Sequence, residues 1–419
     1  MKRVLTLITI ALVASHADAS SRLTYLIQGQ PIPIAWSAES FPIGLAIDQE
    51  MLDTLPSSDR AARNAFLAWE GPRTAVRFQQ NAPRDLRAGR DGTSSVVFQD
   101  DLFKSSGFIA FTTTWFDDAG TIEEADIQFD PSLVRDGFNL QVVLQHEIGH
   151  FLGLDHSAVL SSTMYPFVAR GAATPIDSDD ALAMAELYPT DRAAEGSIGF
   201  HGEVRGQTGP LFGAHVVAIN AGGAAVASRL TDRDGRFEIN GLPPGTYKLY
   251  VEPLDGPVEP RNFSGVWSGG DVASFRTEFF DDSQLVATKQ GESIETLSIS
   301  VHPMPTWLNP RWIGTFAPQT SEIRLAMTVG TIRAGETVSI AVGGDGFVPG
   351  MTTFEVLGGS VTRVSEFQYG SNYLWATFQI AANIEPGALT VIVRNGDEAA
   401  ALSGALRVAK PTRSHGARR

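Results

Sequence analysis

The chain has 419 residues, a formal net charge of −15 and no cysteine. This length is too great for one hydrophobic core and predicts two or three domains. The excess of acidic residues argues against nucleic acid or anionic membrane as the main partner, and the lack of cysteine excludes disulfides and thiolate ligands.

Residues 1–19 have the pattern of an export signal. Lys2 and Arg3 precede an apolar run from Val4 to Val13, and Ala17-Asp18-Ala19 follows as a small-x-small cleavage site. The apolar run is too short to cross a bilayer as a stable helix, which is typical of a signal peptide; an ordinary hydrophobic helix is the alternative. We therefore predict a protein secreted to the periplasm or the extracellular space, with no transmembrane segment further along.

The segment 20–192 is predicted to form the first folded domain. Strands are expected at 43–47 and 95–98, and a helix over 59–71 would bury Ala62, Ala65, Phe66 and Trp69. A second helix is predicted over 140–150, because its apolar residues recur at helical spacing. These residues are Leu140, Val143, Leu144 and Ile148.

The second helix carries the most informative motif of the chain. His146, Glu147, His150, Gly153 and His156 form an H-E-x-x-H-x-x-G-x-x-H array. Two histidines four residues apart project from one side of a helix and can bind one cation together. The glutamate is rotated away from that line, beside the open coordination position. The glycine can adopt a positive φ and end the helix, so that the third histidine returns as a ligand.

Three histidine ligands leave one position for water, which is typical of a catalytic zinc ion. Zinc in such a site lowers the pKa of bound water to about 7 and polarises a carbonyl group. Glu147 is then expected to take the proton of the attacking water and pass it to the leaving amine. A structural zinc site is the alternative, but such sites are usually closed and often rich in thiolates.

This segment resembles the metzincin metallopeptidases, and the residues after it resemble the matrixin branch, the family of the matrix metalloproteinases. Ser157 follows the third histidine, and SSTMYP places Met164, Tyr165 and Pro166 at the Met-turn of that family. The resemblance implies that the methionine lies beneath the metal. It also implies that the residues after it help to wall a specificity pocket.

The resemblance continues on both sides of the motif, over most of residues 34–189. Asp179 and Asp180 stand at the paired aspartates that lock the closing helix to the Met-turn region; the alternative is ordinary acidic residues in a first helical turn. The segment 107–116 resembles the edge strand above the cleft, and 124–130 resembles the strand that follows. A peptide substrate would then bind extended beside residues 108–113 by main-chain hydrogen bonds.

Several positions depart from the better-known matrixins. Phe111 and Gln128 occupy the places of histidines that bind a second, structural zinc ion, so we expect no second zinc site. Asp126 and Asp130 are compatible with a Ca²⁺ site and equally with solvated loop acids; we favour loop acids, because spacing alone shows no cage of ligands. An inhibitory cysteine switch is impossible without cysteine, and the stretch before the catalytic domain looks too short for a folded propeptide.

After residue 190 the pattern changes to short strands broken by glycine and proline, after a predicted linker at 193–199. Residues 197–303 resemble a carboxypeptidase-regulatory or transthyretin-like β-sandwich, and 310–409 resemble an immunoglobulin-like domain of the IPT/TIG kind. The marks of the former are Asp232, Asp234, Gly235, Phe237, Gly241, Leu242, Pro243, Gly245 and Tyr247. His201 and His215 are interpreted as ordinary strand residues, and the basic tail 410–419 as disordered.

The sequence thus predicts a multidomain protein: an α/β metzincin catalytic domain, with a twisted mixed sheet and an active-site helix, followed by two all-β sandwich domains. The predicted function is a secreted zinc-dependent endopeptidase that cuts internal peptide bonds of proteins. Its sandwich domains would position the enzyme or recognise a surface or matrix ligand. An adhesion protein with a vestigial protease domain and a zinc hydrolase of a non-protein amide are the alternatives. The oligomeric state is not predicted.

Overall fold

The protein is described by a computed structural model over residues 22–99, 108–133, 135, 137–168, 171, 174–191, 197–268, 274–280, 285–287, 293–303, 308–320 and 322–409. The predicted signal peptide 1–19, the tail 410–419 and most of the predicted linker lie outside the described residues. The described chain forms an α/β domain followed by two β-sandwiches, which confirms the predicted fold class. None of its described helices is both long and apolar enough to cross a membrane.

The first domain is built on a mixed sheet. It begins with a hairpin of β1 (Thr24–Ile27) and β2 (Gln30–Pro33). Its sheet contains β3 (Ile43–Ile47), β4 (Phe78–Gln80), β5 (Ser95–Phe98), β6 (Ala110–Phe116) and β7 (Ile122–Phe129). The strand order is β4-β3-β5-β7-β6, and only β6 is antiparallel to its neighbour. Strand β6 therefore lies at an edge, as predicted for the strand above the cleft.

The described residues of this domain also form four α-helices: α1 (Gln49–Thr54), α2 (Ser58–Trp69), α3 (Leu140–Phe151) and α4 (Ser178–Leu187). Helices α2 and α3 bury the apolar residues that their helical spacing predicted. The Trp69 indole joins the two helices, because its Nε1 donates to the Gln145 carbonyl at 2.9 Å. Helix α3 begins where the Asn139 side chain accepts a hydrogen bond from the Gln141 N–H, a common N-cap arrangement.

The second domain is a β-sandwich. Its strands are β8 (Ile198–Gly206), β9 (Gly209–Pro210), β10 (His215–Asn220), β11 (Ala225–Leu230), β12 (Arg236–Leu242), β13 (Gly245–Glu252), β14 (Glu278–Phe279), β15 (Leu285–Ala287) and β16 (Ser293–Ser300). One sheet has the order β11-β10-β13-β14, with β15 paired to β13, and the other has β12-β8-β16, with β9 paired to β8. Alternate residues such as Val216 and Ala218 face Phe237 and Ile239 of the other sheet in one core, because side chains alternate along a strand.

The third domain is a second sandwich. Its strands are β17 (Asn309–Phe316), β18 (Gly330–Arg333), β19 (Thr337–Asp345), β20 (Thr353–Val356), β21 (Val361–Arg363), β22 (Gln368–Tyr369), β23 (Tyr373–Ile380), β24 (Ala388–Asn395) and β25 (Glu398–Ala409). The sheets have the orders β17-β19-β23-β21, with β22 paired to β23, and β18-β25-β24-β20. This arrangement is consistent with the predicted immunoglobulin-like domain.

The three domains share buried surfaces. One apolar cluster contains Leu160 and Tyr165 from the first domain, Phe263 and Trp267 from the second, and Leu406 from the third. A smaller cluster joins the outer face of β10 to residues of the other two domains. The sandwich domains are therefore packed against the first domain and against each other, and this packing brings residues of all three domains to the site described next.

Candidate active site

Helix α3 and the turn after it place the histidine motif. The helix ends at Phe151, and Gly153 has a φ of +92°, a conformation that side chains other than glycine rarely adopt. A Cβ atom at this position would lie 2.2 Å from the Ile34 carbonyl oxygen. Glycine is therefore required both by the backbone conformation and by the close approach of Ile34. The chain then turns back and brings His156 to the two helical histidines.

The three histidine side chains form one cluster. Their ring centroids are 4.8 to 5.3 Å apart, and their ligand atoms lie within 4.8 Å of one another. Each Nδ1 contacts a backbone carbonyl oxygen, which can only accept, so each Nδ1 carries the hydrogen and Nε2 keeps its lone pair. For His146, His150 and His156 the carbonyls are those of Thr163 at 2.8 Å, Leu154 at 2.8 Å, and Asn262.

The protonation state of the cluster suits a metal. Burial lowers the pKa of His146 to about 3 and that of His150 to about 4. Burial, and then the neighbouring histidines, place the pKa of His156 well below its ordinary value. Neutral imidazoles are the form that binds metal, and three of them with one open position fit Zn²⁺. In the part of the chain that the structure describes, this is the one group of three potential ligands close enough to share an ion.

Glu147 lies beside the histidines and is buried. The Thr112 hydroxyl on β6 donates to its Oε2 at 2.8 Å. Burial raises the pKa of Glu147 to about 7, although the Thr112 hydrogen bond opposes that rise. A carboxyl group with a pKa near the working pH can both accept and release a proton. Thr112 was not predicted to be a site residue. Its position in the predicted edge strand was the signal that the sequence offered for it.

Met164 lies against the turn of α3 that carries the histidines. It is fully buried, and a Cβ atom on Gly149 would lie 2.1 Å from its Sδ and 3.2 Å from the Trp69 ring. The Met164 carbonyl accepts from the Ser157 N–H, and its own N–H donates to Ser162 Oγ, both at 2.9 Å. The predicted Met-turn residue thus packs under the helix, in close contact with its backbone between His146 and His150.

Asp179 and Asp180 lie in the first turn of α4, and both are fully buried. Asp180 accepts hydrogen bonds from Ser162 Oγ at 2.6 Å and from the Thr163 N–H. Burial raises the pKa of this carboxyl group, and the neighbouring Asp179 raises it further. Asp180 therefore joins α4 to the turn that contains Met164.

Asp179 has a second set of partners. It accepts from Ser157 Oγ at 2.7 Å, next to the third histidine, and from the Ser228 N–H of the second domain at 2.6 Å. The adjacent Arg229 is fully buried, and its guanidinium donates to Glu186 of α4 at 2.7 Å. The N-terminal turn of α4 thus links the Met-turn to the second domain. No sequence signal pointed to Ser228 or Arg229.

A cavity of about 680 Å³ opens beside His146. Tyr165 lines it on the side of the first domain, whereas Pro166 is half-buried and lies outside the lining residues that the structure describes. The opposite wall comes from the third domain, where Thr331 of β18 and Arg407 of β25 face the cavity. One wall of this cavity thus comes from the third domain, which the sequence did not predict.

The two candidate calcium ligands are held by protein donors. Asp126 is buried and accepts from the Gly89 N–H at 2.8 Å and from the Ser95 N–H and hydroxyl at 2.9 and 2.6 Å. Asp130 accepts from the Ser132 N–H at 2.8 Å. Asp126 is a fully buried residue of β7, so its interpretation as a solvated loop acid is wrong. Asp130 follows the strand and is half-buried, which fits a loop acid.

Gln128, His201 and His215 have hydrogen-bond partners outside the histidine cluster. Gln128 donates to Thr113 Oγ1 at 2.9 Å on the neighbouring β6. His201 and His215 lie on β8 and β10. His215 pairs with Glu252 at 2.8 Å, and His201 contacts Asn240 at 3.0 Å. Both histidines thus have protein partners within their own domain.

Comparison with known proteins assigns two of the domains. Residues 47–189 match the family model described as Matrixin. This segment is a matrixin domain. Residues 199–256 match the carboxypeptidase regulatory-like domain, which confirms the second predicted resemblance.

The matrixin domain has relatives among characterised proteins. Karilysin of Tannerella forsythia is 46% identical over 57 residues, covering 14% of this chain and 12% of karilysin. Matrix metalloproteinase-9 of Canis lupus familiaris is 42% identical over 52 residues, covering 12% of this chain and 7% of that protein. Human matrix metalloproteinase-15 is 30% identical over 151 residues, covering 32% of this chain and 22% of that protein. The matches thus cover less than a quarter of each relative.

Proposed function

We propose that this protein is a secreted zinc-dependent endopeptidase that hydrolyses internal peptide bonds of protein substrates. The observation that carries the proposal is the cluster of three neutral histidines with a buried glutamate beside it, on a helix under an edge strand. The matrixin domain supports the same reaction class. Secretion is proposed from the pattern of residues 1–19 and is tested by the N-terminal sequence of the exported protein.

The residues that would hold zinc are His146, His150 and His156, each oriented through its Nδ1 hydrogen bond. A zinc ion there would polarise the substrate carbonyl and lower the pKa of a water molecule. Glu147 would accept the proton of that water as it attacks and deliver it to the leaving nitrogen. Thr112 holds the carboxylate through one oxygen, which leaves the other oxygen for this proton transfer.

Strand β6 offers the substrate a binding edge. Among the described strands it pairs with β7 alone, and an extended peptide would add to its other side by strand addition. The same strand carries Thr112, which contacts the catalytic glutamate. A peptide added to β6 would therefore bind beside the group that orients Glu147.

Removal of the metal tests the function directly. We expect the purified protein from residue 20 onward to cleave casein and a quenched-peptide library, a chelator to abolish cleavage, and stoichiometric zinc to restore it. A stronger chelator removes zinc from the three imidazoles, and the site then lacks the ion that would polarise the substrate carbonyl. Stoichiometric zinc without cleavage of any peptide would contradict the proposal and favour a zinc hydrolase of another amide or a binding protein.

A further inference from the structure

A loop of the second domain, residues 259–267, lies directly on the third histidine. The Asn262 carbonyl accepts the hydrogen of His156 Nδ1. Two residues later, the Ser264 N–H donates to Asp155 Oδ2 at 2.8 Å, and Asp155 Oδ1 accepts from the His156 N–H. Asp155 is 1% exposed. The loop therefore forms hydrogen bonds with two consecutive residues of the motif: it donates to Asp155 and accepts from His156.

The loop is held in place from three sides. Its short helical turn is closed by the Asn262 side chain, which accepts from the Glu259 N–H at 2.9 Å. Its far end is buried, where Trp267 stacks on Phe212 with ring centroids 5.1 Å apart. Gly265 has a φ of +55°, and a Cβ atom there would lie 2.0 Å from the Thr24 carbonyl of β1. The loop is therefore packed against the N-terminal hairpin of the first domain.

The other two histidines obtain their carbonyl partners from the first domain itself, at Thr163 and Leu154. We propose that loop 259–267 is a part of the zinc site, and that the second domain positions His156 as a ligand. The proposal rests on the proposed function, because it concerns the same metal. Loss of such an outer hydrogen-bond partner typically weakens metal binding by about 10- to 100-fold.

The test compares two substitutions of Ser264 in the full-length protein. Ser264→Pro removes the N–H that Asp155 accepts and pulls φ from −107° towards about −65°. Ser264→Ala is the conservative variant, because it keeps the N–H. We measure zinc affinity of the metal-free proteins by competition with a chromophoric chelator, and ligand geometry from the visible spectrum of the cobalt-loaded proteins.

We expect Ser264→Pro to bind zinc about 10- to 100-fold more weakly than wild type and to change the cobalt spectrum, with Ser264→Ala close to wild type. Gly265→Ala serves as a second variant if Ser264→Pro does not fold, since it displaces the same loop from Thr24. Wild-type zinc affinity in a folded Ser264→Pro or Gly265→Ala protein would overturn the proposal. Zinc affinity is measured without substrate. A lack of proteolysis would therefore contradict the proposed function but not the proposed role of the loop.

A second and independent observation concerns the cavity beside His146. Arg407 reaches it from β25 of the third domain, and its Nη2 donates to the Ser161 carbonyl at 2.5 Å. None of the described residues that line the cavity is an aspartate or a glutamate. The guanidinium is thus a positive charge in a recess next to the metal ligands, and one of its N–H groups is bound to a neutral carbonyl.

We infer that this cavity accepts an acidic side chain of the peptide substrate, with Arg407 as the residue that selects it. A guanidinium binds a carboxylate by charge-assisted, often bidentate hydrogen bonds. This inference also rests on the proposed function, because it names the substrate class of the same site. Because Arg407 belongs to the third domain, the inference means that this domain helps to select the substrate.

The test is a quenched-peptide library that varies each position around the cleaved bond. We expect wild type to prefer Glu over Gln at one position by about tenfold, as a charge-assisted bond predicts. Arg407→Gln should remove that preference, and Arg407→Lys should retain part of it. Cleavage without an acidic preference, or an unchanged preference in Arg407→Gln, would overturn the inference. A library that wild type leaves intact would instead overturn the endopeptidase proposal and, with it, this one.

Discussion

Glu147→Ala is expected to lower kcat/KM by about 10²- to 10⁴-fold, the usual contribution of a general acid and base. The three histidines keep their carbonyl partners in this variant, so zinc stoichiometry should not change. The hydroxyl of Thr112 would lose one acceptor but lies 3.1 Å from the Glu147 backbone carbonyl, which remains. Peptide hydrolysis should therefore be largely lost, whereas zinc should still bind.

The measurement combines peptide hydrolysis, zinc content and thermal unfolding on the same preparations. Glu123→Ala is the matched control, because Glu123 lies on the neighbouring β7 with an exposed carboxylate paired to Arg90. That variant should cleave as wild type does. Near-wild-type cleavage by a zinc-loaded Glu147→Ala protein would contradict the proposed role of Glu147.

Arg229→Ala is expected to lower the free energy of unfolding by about 3–5 kcal/mol, the usual effect of breaking a buried ion pair by removal of one partner. Arg229 is 1% exposed and donates to the carboxylate of Glu186 and to the carbonyls of Glu238 and Ser228. Removing it leaves the carboxylate of Glu186, whose side chain is only 13% exposed, without its closest cation. Arg22 lies 3.5 Å from the same oxygen.

Urea denaturation of the full-length protein measures this loss. Arg205→Ala is the matched control, because Arg205 forms an exposed pair with Glu203 of the same strand, and exposed pairs contribute about 0–1 kcal/mol. The double variant Arg229→Met with Glu186→Gln removes both charges and should recover part of the stability. A loss below about 1 kcal/mol in Arg229→Ala would show that the junction is not coupled to folding.

The junctions between domains left a partial signal in the sequence. Strand β10 reads HVVAI, and all five residues are buried, whereas a strand with one face in solvent alternates buried and exposed residues. Val217 and Ile219 of this run pack outward, in a cluster that includes Val159 of the first domain. The unbroken apolar run from Val216 to Ile219 indicates that both faces of the strand are covered, but not which domain covers the outer face.

The sequence by itself determined the parts of the site that depend on local spacing. His146, Glu147 and His150 share a helix turn, and Gly153 ends that helix, so the helical repeat and the conformational freedom of glycine are enough to place them. The apolar spacing of α2 and α3 likewise determined their buried faces. Only the tertiary structure decided which groups surround the site, because those contacts join residues far apart in the chain. Thr112 and Glu147 are separated by 35 residues, His156 and Asn262 by 106, and Ser161 and Arg407 by 246. No local period relates such pairs: the fold of the first domain brings Thr112 to Glu147, and the packing of the three domains brings the other two pairs together.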